Sequence, residues 1–137
     1  MAGNAPITCA LLGICTVATN AAAAQEMQAK PTVPVMITAN EDSDACGMTG
    51  VARGLDPRGD GFLAVKAGPG LRYKRIDRLY NGDQVYICGI SGRWFAIVYT
   101  RDRTDCNVST PWARSMAYTG PCRSGWAHKR WIKPIAG

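Results

Sequence analysis

An all-β fold of short strands is what this sequence predicts, and three observations carry the prediction. From Cys46 onward, short apolar runs alternate with turn signals rich in Gly, Pro, Asn and Asp, the spacing of a small barrel or sandwich. No stretch beyond residue 45 holds the period of a ten-residue amphipathic helix. Cys46, Cys88, Cys106 and Cys122 are spread through the same region. Widely spaced cysteines in even number suit a disulfide framework in a small exported domain.

The first 24 residues stand apart from the rest of the 137-residue chain, because they contain no Asp, Glu, Lys or Arg. An apolar stretch from Ile7 to Val17 is followed by small residues at Ala22 and Ala24, which predicts a signal peptide over residues 1–24, cleaved before Gln25. The terminal amine is the only positive charge there. Thr16, Thr19 and Asn20 interrupt a run already shorter than the roughly 20 apolar residues of a membrane span, so stable membrane insertion is not expected. Cys15 follows Ile14, too bulky for the small-residue position of a lipidation site. Cleavage would remove Cys9 and Cys15 and leave four cysteines. Three connectivities are then possible. The most local joins Cys106 to Cys122 and leaves Cys46 with Cys88. Zinc is the rival use, but no C-x-x-C pair exists. Every charged residue lies beyond residue 24, so the exported product keeps the formal charge of +6. Such an excess favours anionic partners or only solubility.

Residues 25–45 read as a flexible linker. Pro31 and Pro34 precede an acidic polar cluster from Glu41 to Asp44, and neither helical nor strand period holds. The domain itself is predicted over residues 46–137. A brief first strand lies in TGVARGL, and DPRGDG at 56–61 is a turn. Leu63 and Val65 alternate with Ala64 and Lys66 in a half-buried strand, which Gly68-Pro69-Gly70 ends. Ile76 and Leu79 lead into the Asn81-Gly82 tight turn. Gln84 to Cys88 alternates again, and a turn is predicted over Gly89–Gly92. Trp94 to Tyr99 is apolar at every position, so this strand is covered on both faces or carries a binding surface on one. A last short strand runs from Gly125 to Ala127, before Trp131 and Ile132. The predicted core is Val51, Leu63, Val65, Ile76, Leu79, Val85, Ile87, Phe95, Ile97 and Ala127.

Little in the sequence supports catalysis or metal binding. His128 is the only histidine, and no nucleophile motif accompanies it. Asp56, Asp60 and Gly61 hint at a calcium loop, but Arg58 and Ala67 fall where ligands are required. No cofactor, no metal and no catalytic residue are expected. Nucleic acid is a further possibility for the basic residues. Lys66, Arg72, Lys74, Arg75 and Arg78 surround Tyr73, and Arg123, Lys129, Arg130 and Lys133 surround Trp126 and Trp131. Export argues against it.

The ordered pattern Leu63, Val65, Gly68-Pro69, Tyr73, Ile76, Leu79, Gly82, Val85 and Ile87, then Arg93-Trp94-Phe95-Ala96-Ile97, then Gly125-Trp126-Ala127 with Trp131-Ile132, resembles the bacterial SH3-like (SH3b) domains over about residues 60–133. The resemblance implies a small SH3-like barrel of about five short strands. It departs between Tyr99 and Gly125, where TRDRTDCNVSTPWARSMAYTGPCRS replaces a short hairpin. This insertion, residues 100–124, carries two cysteines placed to staple its base. GLDPRGDGFLAVKAGPG, the stapled loop and GPCRSGW together also look like a subset of small exported bacterial proteins. By resemblance, the function is a non-catalytic, monomeric binding module, periplasmic or secreted. Its expected partner is peptidoglycan or an envelope protein. The expected groove is lined by Tyr73, Trp94, Tyr99, Trp112 and Trp126, with Arg72 and Arg123 beside them. The alternatives are an accessory or inhibitory protein acting through the 100–124 loop, and a basic nucleic-acid-binding domain.

Overall fold

Strand alternation from Met48 onward resolves into a seven-stranded antiparallel sheet in the computed structural model, which describes residues 30–137. The predicted signal peptide and the first residues of the linker lie outside the described residues. The strands are β1 (Met36–Ile37), β2 (Met48–Ala52), β3 (Leu63–Lys66), β4 (Arg75–Leu79), β5 (Gln84–Ser91), β6 (Trp94–Tyr99), β7 (Met116–Ala117), β8 (Arg123–His128) and β9 (Ile132–Ala136). A 3-10 turn at Lys129–Trp131 joins the last two. No α-helix occurs among the described residues, and no helix there is long and apolar enough to cross a membrane. The large sheet has the order β4-β3-β8-β6-β5-β2-β9, and β1 pairs with β7 in a second, two-stranded sheet.

The sheet curves. All seven of its strands send side chains into one inner core, which includes Ala52, Leu63, Leu79, Ile87, Ile97, Ala127 and Ile132. A flat sheet with strands about 4.8 Å apart would keep its outer strands too distant to share a cluster. The edge strands β4 and β9 are not paired with each other, so the sheet is rolled but open. Nine of the ten predicted core residues are buried; the exception is Ile76, 47 % exposed. Ile76 and Leu79 are three residues apart on a strand, so their side chains leave opposite faces. Leu79 takes the inward face.

In the large sheet two strands go beyond the roughly five expected, and both are edges; β1 and β7 of the small sheet are two more. In β9, Pro134 cannot donate to a ladder, and an edge strand tolerates it. In β4, Arg75 and Arg78 keep the edge charged. Sequence alternation is weak in both because only part of each strand faces the core. A second difference concerns Gly89, which lies within β5 rather than in a turn. The strand continues to Ser91 through a register shift between Ile87 and Gly89. The turn itself is the two-residue Gly92-Arg93, with Gly92 at φ +58°.

The linker expectation is corrected from residue 30 onward. Val35 and Ile37 are buried, and Val33 N–H donates to the Ala67 carbonyl at 2.8 Å. Apolar residues between the prolines and the acidic cluster find a surface to cover, the outer face of β5, β6 and β8. The 100–124 loop joins them there. Ile37 pairs with Met116, Tyr118 N–H donates to Val35 O, and Ala45 and Cys46 donate to Thr110 O and Val108 O. Together they enclose a second cluster that contains Val35, Ile37, Ala96, Val98, Val108 and Trp126. β6 is thus covered on both faces. Both disulfides form, Cys46–Cys88 and Cys106–Cys122, and both lie in this outer layer.

Candidate functional site

The outer layer leaves one part of the sheet bare. On β3, Leu63 and Val65 point into the inner core, so Ala64 and Lys66 face outward. On β6 and β8, the cross-strand partners Trp94 and His128 also face outward. Phe62, with Asp56, Asp60 and Gly61 of the DPRGDG turn, and Trp131 of the 3-10 turn border this strip. The result is an open cleft of ≈ 430 Å³. Its apolar walls are Phe62, Leu71, Trp94 and Trp131. Leu71 is 81 % exposed. Asp56, Asp60 and Lys66 place charges of both signs at its margin.

The three aromatic walls each have a local support. Trp94 and His128 meet edge to face at 5.4 Å. His128 Nδ1 accepts a hydrogen bond from the Arg130 N–H at 3.1 Å, which leaves Nε2 to carry the proton of the neutral ring. Burial first, then the charges of Arg93, Arg130 and Lys129, lower the His128 pKa below its ordinary value. The guanidinium of Arg78 lies 4.6 Å and that of Arg75 5.2 Å from the Phe62 ring centre. Gly54, at φ +78°, supplies the left-handed backbone with which the chain turns beside the Trp131 ring. Asn81 ties the 53–62 loop down by two bonds, accepting from Leu55 N–H and donating to Leu55 O.

The residues expected to form one aromatic groove do not come together. Of the five aromatics, Trp94 alone lines this cleft. Tyr99 is 2 % exposed and belongs to the inner core. Trp126 is 8 % exposed, and its Nε1–H donates to Val33 O at 2.9 Å. Trp112 sits in the stapled loop, stacked on Tyr118 at 6.1 Å, with Nε1–H donating to Asn107 O. Tyr73 folds beneath the Gly-Pro-Gly turn, where a Cβ on Gly68 would collide with its ring. Arg72 is exposed and lies outside the cleft. The reason is common to Trp112 and Trp126: the 30–46 segment and the loop need large apolar partners, and these rings supply them. Phe62 and Leu71 were missed, and Trp131 was singled out for binding only in the nucleic-acid alternative. Strand phase identifies Phe62, since it sits opposite to Leu63 and Val65. Leu71 and Trp131 lie outside the strands and carry no such signal.

Arg123 has a different role. Asp77 on β4 accepts from Tyr99 OH at 2.7 Å, Arg101 Nη1 at 3.0 Å and Arg123 Nη1 at 2.9 Å. Arg101 also donates to the Arg78 carbonyl. Arg101 and Arg123 flank the two ends of the inserted loop, so one carboxylate anchors its base to the sheet edge. Burial alone would raise the Asp77 pKa. Bonds from Arg101, Tyr99, the Arg78 N–H and Arg123 outweigh it and hold the group well below the usual carboxylate range. Burial, and then the bond to Asp77, push the Tyr99 phenol up.

No cluster of three or more His, Cys, Asp or Glu placed to hold a metal occurs among the described residues. Every buried side-chain N and O atom there has a partner. The fold and the cleft define a small, disulfide-crosslinked all-β domain with an open aromatic site. Comparison of the chain with protein-family models, curated proteins and solved structures gives no match.

Proposed function

We propose that the protein is a non-catalytic, exported binding module of SH3b-like type that holds a peptidoglycan stem peptide in the Phe62–Leu71–Trp94–Trp131 cleft. The observation that carries this reading is the cleft itself. It is open, walled by aromatic and aliphatic groups, and edged by Asp56, Asp60 and Lys66. Its volume lies within the range of small-ligand sites. A stem peptide is an extended chain that carries both amino groups and carboxylates, so it matches charges of both signs. The groove is therefore aromatic and mixed in charge, not aromatic and basic. Two intrachain disulfides favour an oxidising compartment, periplasmic or extracellular. The non-catalytic reading rests on two features. All four described cysteines are crosslinked, and His128 uses Nδ1 to cap the 3-10 turn.

A pulldown on purified cell-wall sacculi at low and moderate salt tests the proposal. Apolar contacts make retention survive moderate salt. Trp94→Ala should reduce it by about 30-fold, the loss of an anchoring aromatic worth roughly 2 kcal/mol. Leu71→Ser, at an exposed position, should reduce it without touching the fold. Retention unchanged in both variants would sink the reading. Binding to single-stranded DNA with a steep salt slope would replace it with the nucleic-acid alternative. Cleavage of wall material, abolished by His128→Ala, would overturn the non-catalytic assignment.

A further inference from the structure

We propose that the cleft continues around the 3-10 turn into a cradle for the ligand's terminal carboxylate, built from Arg93, Lys129 and Arg130; this rests on the stem-peptide reading above. Trp131 and His128 line the cleft on one side of the turn and a second recess of ≈ 440 Å³ on the other. The remaining walls of that recess are Arg93, Lys129 and Arg130. The three cations come from two elements. Arg93 sits in the β5–β6 turn, and Lys129 N–H donates to its carbonyl at 2.9 Å, which locks that turn onto the 3-10 turn. Arg130 packs its guanidinium 5.0 Å from the Trp131 ring centre, so an aromatic face orients it.

Convergence distinguishes these cations from scattered surface charge. The salt bridges among the described residues are Arg101–Asp77 and Arg123–Asp77, and no carboxylate lines this recess. Burial, and after it the charges of these same three cations, lower the His128 pKa where cleft and recess join. An arginine fork suits a carboxylate, because two parallel N–H donors match its two oxygens. A peptide lying along Trp94 and Trp131 with its chain end at the turn would satisfy both halves of the site.

The test uses a synthetic stem peptide ending in a free carboxylate and the same peptide amidated, titrated by calorimetry against the full domain. The wild type should bind the acid about tenfold more tightly, the effect of one net charge-assisted bond. In Arg93→Gln/Arg130→Gln, at exposed positions where folding is not at stake, the acid should fall to the affinity of the amide. Trp94→Ala and Leu71→Ser should weaken both peptides alike. Equal affinity for acid and amide in the wild type, or a preference that survives the double substitution, overturns the cradle and leaves the cleft reading standing. If neither peptide binds the wild type, or both bind the cleft variants unchanged, the cleft reading falls and takes the cradle with it.

Discussion

Leu79, Ile97 and their neighbours on the inner face are enclosed by seven hydrogen-bonded strands, whereas Ala96, Val98 and Trp126 on the outer face lie under a segment and a loop that contribute Val35 and Val108. Those two pieces share a two-residue strand pair, a few backbone bonds and the Ala39 N–H bond to Ser115 Oγ at 2.8 Å. Both disulfides belong to the second arrangement and neither to the first. The difference has a physical cause. A rolled sheet satisfies its backbone groups strand to strand while it buries apolar surface, so covalent aid adds little. An irregular layer must order its chain with few such bonds, and crosslinks lower the entropy of its open state. The cleft lies at the margin of that layer, where outward-facing Trp94 and His128 meet Leu55, Leu63 and Trp131 of the inner cluster. Its shape depends on the layer's edge at Trp94 as well as on the sheet.

If this comparison holds, damage to the inner face should be global and damage to the outer layer local. The largest effect is expected from Ile97→Ala in the inner core. Loss of a fully buried aliphatic side chain costs about 2–5 kcal/mol, and the denaturant midpoint should fall for every probe together. Loss at the outer layer alone would break the comparison.

Next come the disulfides. The chain-entropy relation assigns about 4 kcal/mol to Cys46–Cys88, separated by 42 residues, and about 3 kcal/mol to Cys106–Cys122, separated by 16. In Cys106→Ser/Cys122→Ser, amide exchange at Tyr118 and Cys46 should accelerate while Ile87 and Ile97 stay protected. Uniform acceleration would show that the two faces are one cooperative unit.

Asp77→Asn sits at the junction and should cost about 1–3 kcal/mol, since Arg101, Arg123 and Tyr99 lose a charged acceptor. It also gives a pH test. The folded-state pKa of Asp77 is depressed, so its stabilisation is complete above the unfolded carboxylate value near ~4 and drains away as pH falls below it. The acid slope of wild-type stability should flatten in the variant. It should not vanish, because bonds from Thr100 and Thr104 also hold Asp102 down at about 2. An unchanged slope would remove Asp77 from the anchor. Tyr99→Phe, the smallest change, should cost about 1 kcal/mol for one hydrogen bond and leave the inner packing intact. Equilibrium urea unfolding checks the value.

Strands β3 and β5 were legible because period-two alternation is a local property of the chain, and β6 because an unbroken apolar run between turn signals is one too. Leu63 with Val65, Val85 with Ile87, and Phe95 with Ile97 all point inward as their phase requires. Both disulfide pairs were also anticipated, by locality. Less was legible wherever a residue's role depends on a remote partner. Residues 30–45 look like spacer because Val35 and Ile37 are buried by a loop some 70–80 residues further on. The aromatics were misassigned for the same reason. Nothing within a few positions of Trp112 or Trp126 reveals that each serves as packing for the outer layer. Asp77, Arg101 and Arg123 lie on three separate pieces of chain, and no spacing links them.

The sequence by itself therefore determined the all-β class and the alternation that fills the inner core, and it favoured one cysteine pairing among three. These follow from periodicity and from short-range chain statistics. Tertiary structure alone decided that the N-terminal segment and the inserted loop form a second layer, which rings are consumed as packing, and where the sheet stays bare. Those outcomes depend on which distant surfaces meet, and side-chain burial is set by that meeting rather than by the residue type.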